Sequence, residues 1–162
     1  MKASLTILVL LVATVFAVMP VQAADKPIQL SLVDPLQLFS NNTSVGGLRI
    51  SVLYGRNTDV TGLDWGLITK TTGKLTGLQG SLVGMVDGGG AGLQWNFITL
   101  DKGTFTGLQY GFYNSTEHMV GLQLGFINTS ESMTGVQLGL VNIIHKGGLL
   151  PFFPVINVGL GK

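Results

Sequence analysis

Gly121-Leu122-Gln123-Leu124-Gly125-Phe126-Ile127-Asn128 is followed fourteen residues later by Gly135-Val136-Gln137-Leu138-Gly139-Leu140-Val141-Asn142, and this repeated octet decides the fold. Working towards the N-terminus, the same opening recurs as Gly107-Leu108-Gln109-Tyr110, Gly92-Leu93-Gln94-Trp95, Gly77-Leu78-Gln79-Gly80, Gly62-Leu63-Asp64-Trp65 and Gly47-Leu48-Arg49-Ile50. The seven starts are spaced 15, 15, 15, 15, 14 and 14 residues apart. Near-constant spacing of this length marks a repeat architecture, so the unit is read before any single element.

Numbered from its Gly, each unit is apolar at almost every position 2, 4 and 6, as in Leu93, Trp95 and Phe97. Position 3 is usually Gln, and position 5 is small or polar. Alternation with a period of two predicts a strand with one apolar face. That face is expected to pack the core, so Asp at Leu122 or Phe126 should be far more damaging than Asp at Gln123. Position 7 is apolar too, which breaks the alternation and predicts a bend. Asn114, Asn128 and Asn142 at position 8 are expected turn residues. Val60, Leu75, Phe105, Met119 and Met133 stand two places before the next Gly, often with Thr between.

Two all-β architectures use this pattern. In a β-solenoid each unit is one coil, and coils stack about 4.8 Å apart. In a small up-and-down outer-membrane β-barrel of about eight strands, each unit is one strand and neighbours run antiparallel. Antiparallel neighbours put alternate turns at opposite ends, where they should diverge in length, yet the units here stay alike. Identical residues also fall into columns, Gln79, Gln94, Gln109, Gln123, Gln137 and then Asn114, Asn128, Asn142, which suit stacked in-register strands. A turn column of Lys102, Glu117, Glu131 and His145, with Lys146 beside it, would set opposite charges side by side. The expectation is a solenoid of about seven 14–15-residue coils with terminal caps. The barrel is the alternative, and membrane association goes with it.

Beyond the repeat, Met1-Lys2 opens a short apolar run that ends at Met19-Pro20, and Val21-Gln22-Ala23 presents small residues at a cleavage site. This is the pattern of a secretory signal peptide over residues 1–23. Residues 24–46 then read as an N-terminal strand, cap and loop. Residues 47–146 are the seven-unit repeat, and 147–162 an apolar C-terminal cap containing Pro151 and Pro154. The third unit, with Gly77, Gly80, Gly84 and Gly88 to Gly90, should be the thinnest or most mobile coil.

Composition narrows the function. The chain has 162 residues, 24 Gly, no Cys and only 10% charged residues. Removing Lys2 with the leader leaves eight basic residues against eight acidic ones. A nucleic-acid partner is therefore not expected, because no basic stripe exists. Without Cys there is no disulfide framework, thiol catalysis or Cys-ligated zinc. No catalytic, metal-binding or cofactor-binding residues are expected. His118 and His145 fall at different offsets in polar turns. Glu117 and Glu131 read as a charged ladder rather than an acid–base pair. Gly88-Gly89-Gly90-Ala91-Gly92 lacks the Lys-Ser/Thr of a phosphate loop. Asn114-Ser115-Thr116 and Asn128-Thr129-Ser130 fit a glycosylation pattern, but Asn is a repeat position there. Thr61, Thr76, Thr106 and Thr134 form a column of the kind that could order ice, interrupted at Ala91 and Val120.

The units Gly121 to Asn128 and Gly135 to Asn142, with the tail Leu150-Pro151-Phe152-Phe153-Pro154-Val155-Ile156-Asn157, resemble a group of exported bacterial surface-repeat proteins. Those proteins share G-L-Q-x-G-L-x-N repeats and an L-P-F-F-P-type tail. The likeness runs from Leu30 to about Leu160 and is looser in the first four units. This chain ends Leu160-Gly161-Lys162 rather than on the aromatic residue usual in that group. The resemblance implies the periplasm, outer membrane or cell surface, and no activity or cofactor. The functional expectation is thus an exported, non-enzymatic envelope protein with a structural or binding role toward an unidentified envelope component or protein. Its expected binding face is the exposed column Gln79, Gln94, Gln109, Gln123 and Gln137.

Overall fold

The computed structural model describes residues 26–161, so the expected leader lies outside the described residues. Seven assigned strands form one sheet in the order β2-β1-β3-β4-β5-β6-β7. They are β1 (Lys26–Val33), β2 (Leu36–Gln37), β3 (Val45–Asn57), β4 (Val60–Thr71), β5 (Leu75–Val86), β6 (Gly90–Lys146) and β7 (Phe152–Leu160). Pairing from β1 and β3 through to β6 is parallel, and equivalent residues meet. Gly47 pairs with Gly62, Gly62 with Gly77, and Gly77 with Gly92. The chain is a β-solenoid. Parallel pairing removes the barrel alternative, since a meander requires antiparallel neighbours.

Differences in unit length are absorbed away from the register. The first unit carries an extra residue in a bulge between Ser51 and Tyr54, and β3 and β4 are joined by only Thr58-Asp59. The step from 15 to 14 residues occurs in the polar turn: Lys102-Gly103-Thr104 precedes buried Phe105, whereas Glu117-His118 precedes buried Met119. The starting Gly is required by its backbone. From Gly62 to Gly135 this column has φ between 125° and 142°, and a Cβ at Gly107 would overlap the Gly92 carbonyl. Only Gly adopts that conformation without strain.

The faces are opposite to the sequence expectation. Positions 2, 4 and 6 point outward: Trp65, Trp95, Tyr110, Phe97, Phe112 and Phe126 are each about half exposed. Inward go position 3, small position 5, position 8, position 10 and the apolar residue before each Gly. The apolar core is one file, Val45, Val60, Leu75, Phe105, Met119 and Met133, with Val86 and Ile144. Everything else inside is largely polar. Size explains the choice. A coil of 14 or 15 residues encloses about five inward side chains, and two columns of Trp and Phe would overfill it. Gln, Asn, Ser and Gly fit, and their polar atoms pair with the coils above and below. The position-8 Asn residues are likewise buried ladder members rather than exposed turn residues.

Both ends are closed by the chain itself. β1 continues the stack in parallel and β2 folds back on it. Gln29 reaches Phe39 twice, through Nε2 to the carbonyl at 2.8 Å and from the Phe39 amide at 3.0 Å. β7 pairs antiparallel with the last coil, setting Gln137 opposite Asn157. The third unit keeps full register. Gly80 leaves room in the outer wall that the Trp65 ring fills, and Gly84 makes room inside for the Asn96 amide.

Candidate functional site

The Gln column is a buried ladder and not an accessible face. Gln79, Gln94, Gln109, Gln123 and Gln137 are all 0–1% exposed. Each amide donates to its predecessor: Gln94 to Gln79 at 3.0 Å, and Gln109 to Gln94, Gln123 to Gln109 and Gln137 to Gln123 at 2.8 Å each. Stacking holds equal side chains one strand spacing apart, within amide hydrogen-bond reach. The binding role expected of this column is therefore withdrawn. A buried face has nothing to offer a partner.

The ladder begins on an ion pair that sequence reading did not single out. Arg49 and Asp64 occupy the Gln position in adjacent coils and are fully buried. Arg49 Nε donates to Asp64 Oδ1 at 2.7 Å and its NH2 to Oδ2 at 2.6 Å, a bidentate pair. Its remaining donors reach the Lys70 carbonyl and Thr71 Oγ1. Gln79 Nε2 joins on Asp64 Oδ2 at 2.9 Å. Opposite charges replacing Gln at one column position in successive units were the available signal.

A second ladder runs the other way. Asn114 Nδ2 donates forward to Asn128 Oδ1, and Asn128 to Asn142, each at 2.9 Å, and Asn142 Nδ2 ends on the Phe153 carbonyl in β7. Each ladder leaves one buried oxygen at its acceptor end, Gln137 Oε1 and Asn114 Oδ1. Beside the Gln ladder, Asp101 accepts from Gln94 at 3.2 Å and Gln109 at 2.9 Å. Burial, partly offset by those bonds, pushes its carboxyl up from an ordinary 3.8 to about 7.

Charge gathers in the turns, away from the aromatic face. Lys146 pairs with Glu131 at 2.7 Å, as the column reading expected. Lys102 instead leans to Asp87 at 3.6 Å, while Glu117 caps the Gly103 amide at 2.8 Å. His118 Nδ1 meets Ser132 Oγ at 2.8 Å on the surface, and His145 is exposed in a separate turn. Among the described residues no group of three or more His, Asp or Glu could hold a metal ion. The Thr column is in register and points outward, interrupted at Ala91 and Val120 as its sequence says.

What remains on the surface is an apolar wall. Positions 2, 4 and 6 carry no charged residue in any unit, and β1 extends them with Ile28, Leu30 and Leu32. Phe97, Phe112 and Phe126 stack at centroid separations of 5.1 and 5.0 Å with planes within 12°. Trp65 lies over Gly80 and meets Trp95 edge-on at 6.5 Å. Between these two rows runs a groove of about 740 Å³. The missed signal was the lack of charge on columns that also held six of the nine aromatic residues of the repeat.

Fold and site together define a capped parallel β-solenoid with a hydrogen-bonded polar interior and an apolar outer wall. No protein-family model, curated protein or solved structure matches the chain.

Proposed function

We propose that the chain is an exported, non-enzymatic binding protein of the bacterial cell envelope, and that its working surface is the apolar wall. One observation carries this: three apolar columns face outward across the stack while the Gln and Asn columns are buried. Monomeric soluble proteins rarely expose a contiguous apolar patch beyond a few hundred Å². The backbone beneath the wall is already paired from coil to coil, so the wall offers side chains rather than strand edges. The leader-like start supports export. A binding rather than chemical role is favoured because the buried polar groups are committed to one another.

The experiment is expression of the full chain in a Gram-negative host, followed by fractionation and mass measurement. The expected product is cut after Ala23 and recovered in the periplasmic or envelope fraction. Uncut chain confined to the cytoplasm would overturn export.

A further inference from the structure

Building on the wall as the working surface, we propose that its occupant is a second copy of this chain, packed wall to wall in a closed two-fold dimer. The wall spans β1, seven units and β7, in which Val158 and Ile156 lie opposite Val136 and Leu138. Eight steps of about 4.8 Å give a length of about 38 Å, and positions 2 to 7 give a width of about 17 Å. Each copy would cover about 650 Å², and the pair about 1,300 Å², within the roughly 1,200–2,000 Å² of stable interfaces. The single copy is short of core. Among the described residues only eight apolar side chains form the buried core, while most of the large apolar side chains at positions 4 and 6 stand exposed. Two flat walls meeting face to face, about 10 Å apart, would make the sandwich that one copy cannot.

The ends and the rim favour this occupant. End-to-end stacking is opposed at both ends: β2 folds back on β1, where Gln29 is tied to Phe39, and β7 runs antiparallel to the coils and carries Pro154 within it. Association through the wall therefore closes at two copies instead of growing a fibre. A bilayer is the less favoured partner. Surface-bound proteins usually border their apolar face with Lys and Arg, whereas this wall is bordered on one side by Thr61, Thr76, Thr106 and Thr134, and the column on its other side has Arg56 and Lys70 in the first two units but Met85, Leu100, Ser115, Thr129 and Ile143 after them. The two Trp of the chain both stand on the wall, so their emission reports its covering directly.

The full exported chain, purified without detergent, is measured by sedimentation and by Trp emission across a dilution series, with and without neutral phosphatidylcholine vesicles. The expected result is twice the chain mass, with blue-shifted emission that moves red on dilution. Phe112→Glu or Trp95→Glu should weaken the dimer at least about 100-fold, with unchanged far-ultraviolet dichroism, while Lys74→Glu in the exposed turn between β4 and β5 leaves it intact. A monomer that binds the vesicles through the wall would overturn the second copy and leave the wall standing as working surface. A monomer with solvent-exposed Trp emission and no vesicle binding would overturn both. A dimer indifferent to both wall variants would place the interface elsewhere and overturn the proposal.

Discussion

Gln109→Leu tests whether the interior is held by paired amides. Gln109 Nε2 donates to Gln94 Oε1 and Asp101 Oδ2, and its Oε1 accepts from Gln123 Nε2 and Thr116 Oγ1. Leu has nearly the same size but makes none of these bonds. Gln94 Oε1, Gln123 Nε2 and the Thr116 hydroxyl would then stand unpaired in the interior, while the Asp101 carboxyl keeps its bond from Gln94. At about 1–3 kcal/mol for each buried unpaired group, the loss is about 3–9 kcal/mol. Burying Leu returns about 1.5–3 kcal/mol. A net destabilisation of about 4 kcal/mol is expected, a large share of the roughly 5–15 kcal/mol typical of a folded domain. With a urea dependence of about 2 kcal/mol per molar, the unfolding midpoint should fall by about 2 M. Urea titration followed by circular dichroism reads this, with the outward Thr106→Val as a control expected within about 0.5 kcal/mol. A Gln109→Leu protein as stable as the parent would refute the account, because an apolar side chain would then serve equally well at the centre of the ladder.

Two further predictions follow from the same interior. Asp101 is raised when folded, so between its ordinary 3.8 and about 7 the folded state holds more protons than the unfolded state. Its contribution to stability is full below about pH 4 and is lost as pH rises through about 7, with a slope approaching about 1.4 kcal/mol per pH unit. Urea midpoints from pH 4 to 8 should fall accordingly, and Asp101→Asn should flatten the fall; an unchanged slope in that variant would assign it to other groups. For the buried ion pair, Arg49→Gln alone strands the Asp64 carboxylate and should cost about 3–5 kcal/mol. Arg49→Gln with Asp64→Gln extends the amide ladder by two rungs and should recover most of that loss. A double variant no better than the sum of its singles would show that the ladder does not extend through these positions.

The stacking was legible and the orientation was not. Spacing from Gly47 to Gly135, matched columns and similar turns all follow from translation along one axis, and each is visible in the sequence. Alternation is different, because a period of two separates two faces without saying which is inside. Leu122, Leu124 and Phe126 read as core by hydrophobicity alone. What overrides that is a cross-coil term: Gln123 meets Gln109 and Gln137 only once the coils are stacked, so its burial is satisfied by residues fourteen positions away on either side. The wide Trp and Phe columns against a five-residue interior carried the same message in volume. Arg49 and Asp64 replace Gln in its column, and their pairing went unread because it lies across coils, fifteen residues apart.

Inverting the faces separates two properties that ordinary domains combine. In a usual core, one set of apolar side chains both stabilises the fold and is hidden by it. Here the interior ladders hold the coils, and their requirements are met by repetition, since each amide needs only its counterpart one coil away. The two ladders donate in opposite directions, so the dipoles of the Gln file oppose those of the Asn file rather than adding along the axis. The apolar columns are thereby released from packing the coil and become available for contact. It follows that interior and wall substitutions should fall on different axes. Gln109→Leu should lower the urea midpoint of the separated chain, while Phe112→Glu should change association and leave that midpoint near the parent value. If instead Phe112→Glu unfolds the chain at concentrations where the parent is monomeric, the wall is part of the fold's own stability and the separation fails.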